Sequence, residues 1–169
     1  MHIRQLLRRK GGDVATVDAT ASVRTALALL AEHHVGALIV SADGRGVDGI
    51  VSERDVVRAL HERGAGLLAD PVASVMTAEV HTCVPAAGVE ELARTMTEHR
   101  VRHVPVVEDG ALVGIVSIGD VVKARLDELE SEQRIWVGTG RLSARIPGHT
   151  PTIPTPLTGA AATAAVAVP

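Results

Sequence analysis

Two serines in this chain stand three places ahead of an aspartate, in GIVSERDVV at 49–57 and in GIVSIGDVV at 114–122. Each set follows a short apolar run and opens a stretch of helical spacing, which puts Ser52 and Asp55, and again Ser117 and Asp120, at a strand-to-helix turn. A helix start offers unpaired N–H groups and a partial positive charge, and so suits an anion such as phosphate. A carboxylate there repels phosphate but is the right acceptor for a ribose diol, as in dinucleotide-binding folds. Phosphate and sugar thus have separate partners. The same S-x-x-D spacing is also that of a capping box, in which serine and acid close on each other's backbone N–H groups. Both readings stand at this point. Repetition of the flanking Gly-Ile-Val and Asp-Val-Val favours a ligand, because a cap does not require them, although duplication of a domain would itself preserve such identity.

The elements that must position these residues are duplicated too. TVDATASVRTALALLAEHHV, from Thr16, aligns with TCVPAAGVEELARTMTEHRV, from Thr82, at an offset of 82 − 16 = 66. Val23, Ala26, Leu27 and Leu30 recur at i, i+3, i+4 and i+7, as do Val89, Leu92, Ala93 and Met96, so each segment is an amphipathic helix with one core-facing stripe. Apolar runs at 37–40 and 104–107 read as strands, turned at Asp43-Gly44 and Asp109-Gly110 into further strands at 49–51 and 112–116. Each half is therefore strand, helix, strand, strand, helix. Pro105, opposite Ile39 of the first half, restricts its strand to an edge, a start or a bend.

A short helix around Ile3, Leu6 and Leu7 opens the chain, ending in the solvated basic run Arg8, Arg9, Lys10. Residues 67–77 link the halves and place Val72, Val75 and Met76 on another short helix, similar in role to the opening one. The expected organisation is a first repeat at 1–65, a second at 66–130, and a helix extension followed by a disordered Pro/Thr/Ala-rich tail at 131–169. The tail carries no acidic residue after Glu132 and five of the eight prolines, too irregular a pattern to bury a core.

Composition narrows the function. Apolar residues make up 46% of 169, yet there is no Phe or Tyr and one Trp, so stacking of single-stranded bases on aromatic rings is largely unavailable. A net charge of −3 opposes nonspecific binding to a phosphate backbone, and nucleic acid ranks low among partners. One cysteine, Cys83, allows no intramolecular disulfide and no thiolate cluster. With no signal-peptide pattern and no apolar run of membrane-spanning length, the expected location is the cytoplasm, with no membrane partner.

The two GIVS-x-x-DVV segments, each behind an amphipathic helix and a hairpin, resemble the paired CBS (cystathionine β-synthase) domain, or Bateman module, over about residues 1–130. VSERDVVRAL, MTEHRVRHVPVV and GIVSIGDVVK are similar to stand-alone bacterial CBS-pair proteins. The resemblance implies an α/β (α+β) fold of two β-α-β-β-α repeats packed about a pseudo-twofold axis, and a homodimer of such pairs. It also implies a non-catalytic regulatory module, an energy or redox sensor that requires no cofactor and acts through the dimer or an unknown effector protein. Its ligand would be an adenine nucleotide: AMP, ADP, ATP, NAD or S-adenosylmethionine. Carried over by motif position, Asp55 and Asp120 take the ribose diol and Ser52 and Ser117 contact ribose or phosphate, while Thr16, Thr82, Ala37 and His103 border the base.

The halves differ where they are basic: Arg54 faces Gly119 in the alignment, and Arg102 and His103 replace Gly36 and Ala37. Arg54, Arg100 and Arg102 are therefore candidate phosphate contacts, since a guanidinium grips two oxygens at once. Unequal clefts predict one tight site and one weak or empty one. Two rival readings remain. His33, His34, His99 and His103 suggest a metal-binding or hydrolytic protein, against which stands the lack of any H-E-x-x-H, cysteine pair or recognisable Ser/His/Asp set. The other rival is a structural interaction module without ligand.

Overall fold

The computed structural model describes residues 1–139. After α1 (Ile3–Lys10), the first repeat comprises β1 (Thr16–Val17), α2 (Val23–His33), β2 (Ala37–Val40), β3 (Gly49–Ser52) and α3 (Glu53–Arg63). Two 3-10 turns, Ala65–Ala69 and Val72–Ser74, lead to α4 (Val89–Glu98), β4 (His103–Glu108), β5 (Ala111–Ser117) and α5 (Ile118–Thr139). The expected α+β architecture is present, and the link between halves is a pair of 3-10 turns rather than a second copy of α1. The expected helix extension is described as far as Thr139, and the rest of the expected tail lies outside the described residues.

In the first repeat β1 runs parallel to β2, which pairs antiparallel with β3. In the second, β4 and β5 form the sheet and the expected first strand shrinks to one parallel bridge between Cys83 and Val106. Pro105 is the reason. Ile39 N–H donates to the Ala15 carbonyl at 3.1 Å and Ser41 N–H to Val17 at 3.0 Å. The second of these bonds survives as Val107 N–H to Cys83 at 2.8 Å, whereas Pro105, at the place of Ile39, has no N–H to offer His81.

The two hairpins also differ. Asp109 (φ 52) and Gly110 (φ 78) form a two-residue turn of the primed kind that fits strand twist. The matching Asp43-Gly44 does not make a tight hairpin, because the Asp43 carboxylate instead accepts the N–H groups of Arg45 and Gly46, both at 2.8 Å, and folds residues 41–48 into a longer loop.

Two apolar cores result, and they interleave in sequence. Val23, Leu30, Leu38 and Val51 pack with Leu67 and Val72 of the connecting segment, while Leu92, Met96, Val104 and Val116 pack with Ile3 and Leu6 of α1. Backbone bonds hold each lid: Val72 N–H to Ala21 at 2.8 Å on the first core, and Ile3 N–H to Ala87 at 3.0 Å on the second. The repeated glycines of the GIV motifs make room for these lids. A β-carbon on Gly49 would lie 2.8 Å from Met76 Sδ, and one on Gly114 2.6 Å from Leu7 Cδ2.

Candidate functional site

The turn from β3 into α3 is fixed from both sides, by the Ala37–Ser52 pairing and by Glu53 N–H donating to the Gly36 carbonyl at 3.1 Å. Ile118 N–H donates to Arg102 at 2.9 Å in the second repeat. Ser52 caps α3: its Oγ accepts Asp55 N–H at 3.4 Å, while Ser52 N–H and Oγ donate to Asp55 Oδ2 at 2.9 and 2.5 Å. Ser117 and Asp120 do the same on α5 at 3.2, 2.8 and 2.8 Å. Both motifs are thus capping boxes. The cap and the ligand reading are compatible, because every bond that either carboxylate accepts goes to Oδ2, and Oδ1 of each aspartate accepts no hydrogen bond among the described residues.

Above Asp55 lies a cleft of about 270 Å3, close to the lower end of small-molecule pockets. Ser52, Arg54 and Asp55 enter it from the first repeat, Arg102 and His103 from the second, and Thr77, Glu79 and His81 from the stretch between the second 3-10 turn and α4. The His81 ring, on the stretch that Pro105 leaves unpaired, stacks on His99 with centroids 4.0 Å apart. His103 stands opposite Gly36, where a β-carbon would come within 3.6 Å of its Cε1. Burial, then the Lys10 ammonium, hold the His103 ring below the ordinary histidine value; Arg102 acts in the same direction, and Asp120 and Glu53 oppose it. The ring therefore enters the cleft neutral at pH 7.

Asp120 borders a different cleft, also about 270 Å3, lined by residues of α1 and α5 and by Met1. Lys10 Nζ donates to Asp120 Oδ2 at 2.6 Å and to the Ile115 carbonyl at 3.1 Å. Burial pushes the Asp120 carboxyl up, but the hydrogen bonds from Lys10 and Ser117 together outweigh it, and the group titrates below its ordinary 3.8.

Of the residues singled out from sequence, Ser52, Arg54, Asp55, Arg102 and His103 meet in one cleft spanning both repeats. Asp120 lies in the other cleft, with Ser117 as its cap. Arg100 stands in the left-handed turn after α4 (φ 55) and lines neither cleft. Thr16 pairs with Ile39 in the sheet, Ala37 is buried within β2, and Thr82 borders a separate hollow with Cys83 and Glu91. Burial, with Glu91 adding, pushes the Cys83 thiol up to about 11. Sequence reasoning missed Glu53, Glu79, His81 and Lys10, of which only Lys10 carried a signal, as part of a basic run. Among the described residues no three His, Cys, Asp or Glu side chains gather as a metal site requires, and no helix is long and apolar enough to cross a membrane.

The family model of the CBS domain matches this chain twice, at residues 3–62 and 72–127. The chain belongs to the CBS-domain family. This CBS pair is 36% identical over 137 residues to the CBS domain-containing protein CBSX3, mitochondrial, of Arabidopsis thaliana, covering 79% of this chain and 63% of that relative. The match thus spans less than two-thirds of the relative's length. Among solved structures, the CBS-domain containing protein ATU1752 of Agrobacterium tumefaciens is 46% identical, with a TM-score of 0.71 over 74% of this chain and 99% of its own. The CBS domain protein PAE2072 of Pyrobaculum aerophilum, solved complexed with AMP, is 31% identical with a TM-score of 0.67, over 78% and 99%.

Proposed function

We propose that this CBS pair is a non-catalytic regulatory module that binds an adenine nucleotide in the cleft between its repeats. The carrying observation is the Asp55 carboxylate, anchored through Oδ2 with Oδ1 open, beside two arginines and a neutral imidazole from two different repeats. Asp55 accepts the ribose hydroxyls and Ser52 stands beside them. Arg54 and Arg102, both exposed at the cleft, hold phosphate. With no aromatic platform, the base lies against Ile50, Val80 and Val101 and is read by backbone groups and His103. The AMP complex of the Pyrobaculum relative supports this ligand class. ADP, ATP, NAD and S-adenosylmethionine remain within it.

Regulation follows from differential affinity, since a ligand shifts an arrangement only by binding one form better than another. The transmitting surface is a homodimer or effector contact. Val57 and Leu60 on α3 and Val122, Leu126 and Leu129 on α5 are apolar and exposed, and they are the residues offered for that contact.

A thermal-shift panel of these nucleotides tests the reading, because a ligand at 100 times its Kd adds about 2.7 kcal/mol. One member raises the melting temperature if the proposal holds; a flat panel rejects it. Arg54→Ala and Arg102→Ala are expected to weaken AMP while sparing adenosine. Unchanged AMP affinity in calorimetry would remove the phosphate role.

A further inference from the structure

The two capped aspartates are alike in their caps and unlike in what else they touch. Among the described residues Asp55 has no cation at ion-pair distance. Asp120 is bonded to Lys10, with the lysine side chain 35% and the carboxylate 23% exposed, so the pair is partly shielded from solvent screening. We infer that Lys10 is a built-in plug on the Asp120 carboxylate rather than a filler of the second cleft's volume, and that this chain binds one adenine nucleotide, in the Asp55 cleft, until Lys10 is released.

The pseudosymmetry of the lids shows what is unusual. Pro71 bridges to Ser22 as His2 bridges to Gly88, and Met76 abuts Gly49 as Leu7 abuts Gly114. Both correspondences are 69 residues apart (71 − 2 and 76 − 7), which sets Lys10 opposite Glu79. The open cleft therefore carries a carboxylate at the lid position where the other carries an ammonium. The backbone differs in step. The Ile50 carbonyl accepts Thr77 N–H at 2.9 Å, a strand-like bond, whereas the Ile115 carbonyl is satisfied by Lys10 Nζ at 3.1 Å.

The energetic consequence is directional. A ribose hydroxyl that donates to the free Asp120 Oδ1 meets a carboxylate whose charge the Lys10 ammonium already offsets, so its charge-assisted bond is weaker than the one Asp55 can give. Removing Lys10 also strips the Ile115 carbonyl of its donor. The plug is held in place by α1, whose Ile3 and Leu6 are buried in the second core, so it is part of the fold and not a wandering side chain.

The inference rests on the nucleotide reading above, and AMP titration calorimetry on the full chain separates the two. Wild type is expected to bind one AMP per chain, Lys10→Met two, and Lys10→Arg, which keeps the charge, one. Two on wild type, or one on Lys10→Met, overturns the plug. If wild type binds none, the first-cleft reading fails by itself; Lys10→Met binding one would then still support the plug, and binding none would overturn it. Should Lys10→Met not fold, wild type decides through the side-chain nitrogen resonance of Lys10, assigned by its loss in Lys10→Arg. An unmoved signal through saturation with AMP supports the plug, and a shift that tracks binding overturns it.

Discussion

Asp55 and Asp120 each do a helix-capping task with Oδ2, and Oδ1 of each accepts no hydrogen bond among the described residues. A side chain fixed on its own turn is pre-organised, so little rotamer freedom is lost when a ligand hydroxyl arrives. His103 gives a residue-scale prediction. Its pKa is lowered from 6.5 by burial first and by Lys10 next. Below about pH 6.5 the unfolded chain takes up a proton that the folded one resists, so the stability tied to the neutral ring is present above pH 6.5 and lost as pH falls through the folded value. Lys10 and Arg102 face it as cations, Asp120 and Glu53 as carboxylates. His103→Gln should flatten the fall in urea midpoint between pH 7 and pH 5. An identical slope in the variant would show that the ring does not titrate as its surroundings demand.

At the scale of elements, the notable feature is the exchange of lids: α1 closes the second core and the connecting segment closes the first. Gly49 and Gly114 are the contact points. Gly114→Ala should cost about 1–3 kcal/mol through overpacking against Leu7. The cost should fall by at least about 0.5 kcal/mol in a Leu7→Ala background, since residues in contact are not additive. Strict additivity in denaturant titrations would place the strain elsewhere. The same lids bring Glu79 to one cleft and Lys10 to the other, so an element that serves packing also decides the electrostatics of the sites.

For the whole molecule, the exposed Val57 (66%), Val122 (53%), Leu126 (56%) and Leu129 (52%) are the clearest statement about assembly. Val57 and Val122 fall at the same place in the repeated motif, so the surface follows the pseudosymmetry of the chain. Under the dimer proposal, wild type should sediment as two chains, and Val57→Glu or Leu126→Glu as one with the helical spectrum retained. A single wild-type chain at tens of micromolar would reject a homodimer and leave these helices to a different partner.

Much of this protein was legible because its signals are local or repeated. Helical spacing placed α2 and α4, the Asp109-Gly110 pair placed its turn, and the doubled GIVS-x-x-DVV placed both capped helix starts. These features depend on residues within a few positions of one another, where periodicity and turn chemistry suffice. Pro105 was legible as an irregularity, though its effect, the release of His81 toward the cleft, required the partner strand. Which basic residue meets which carboxylate was not legible at all. Lys10 and Asp120 are separated by 110 residues, and only the docking of α1 on the second core brings them to 2.6 Å. Sequence determines what each turn can offer; the interleaved packing of two cores decides which aspartate meets a cation and which does not.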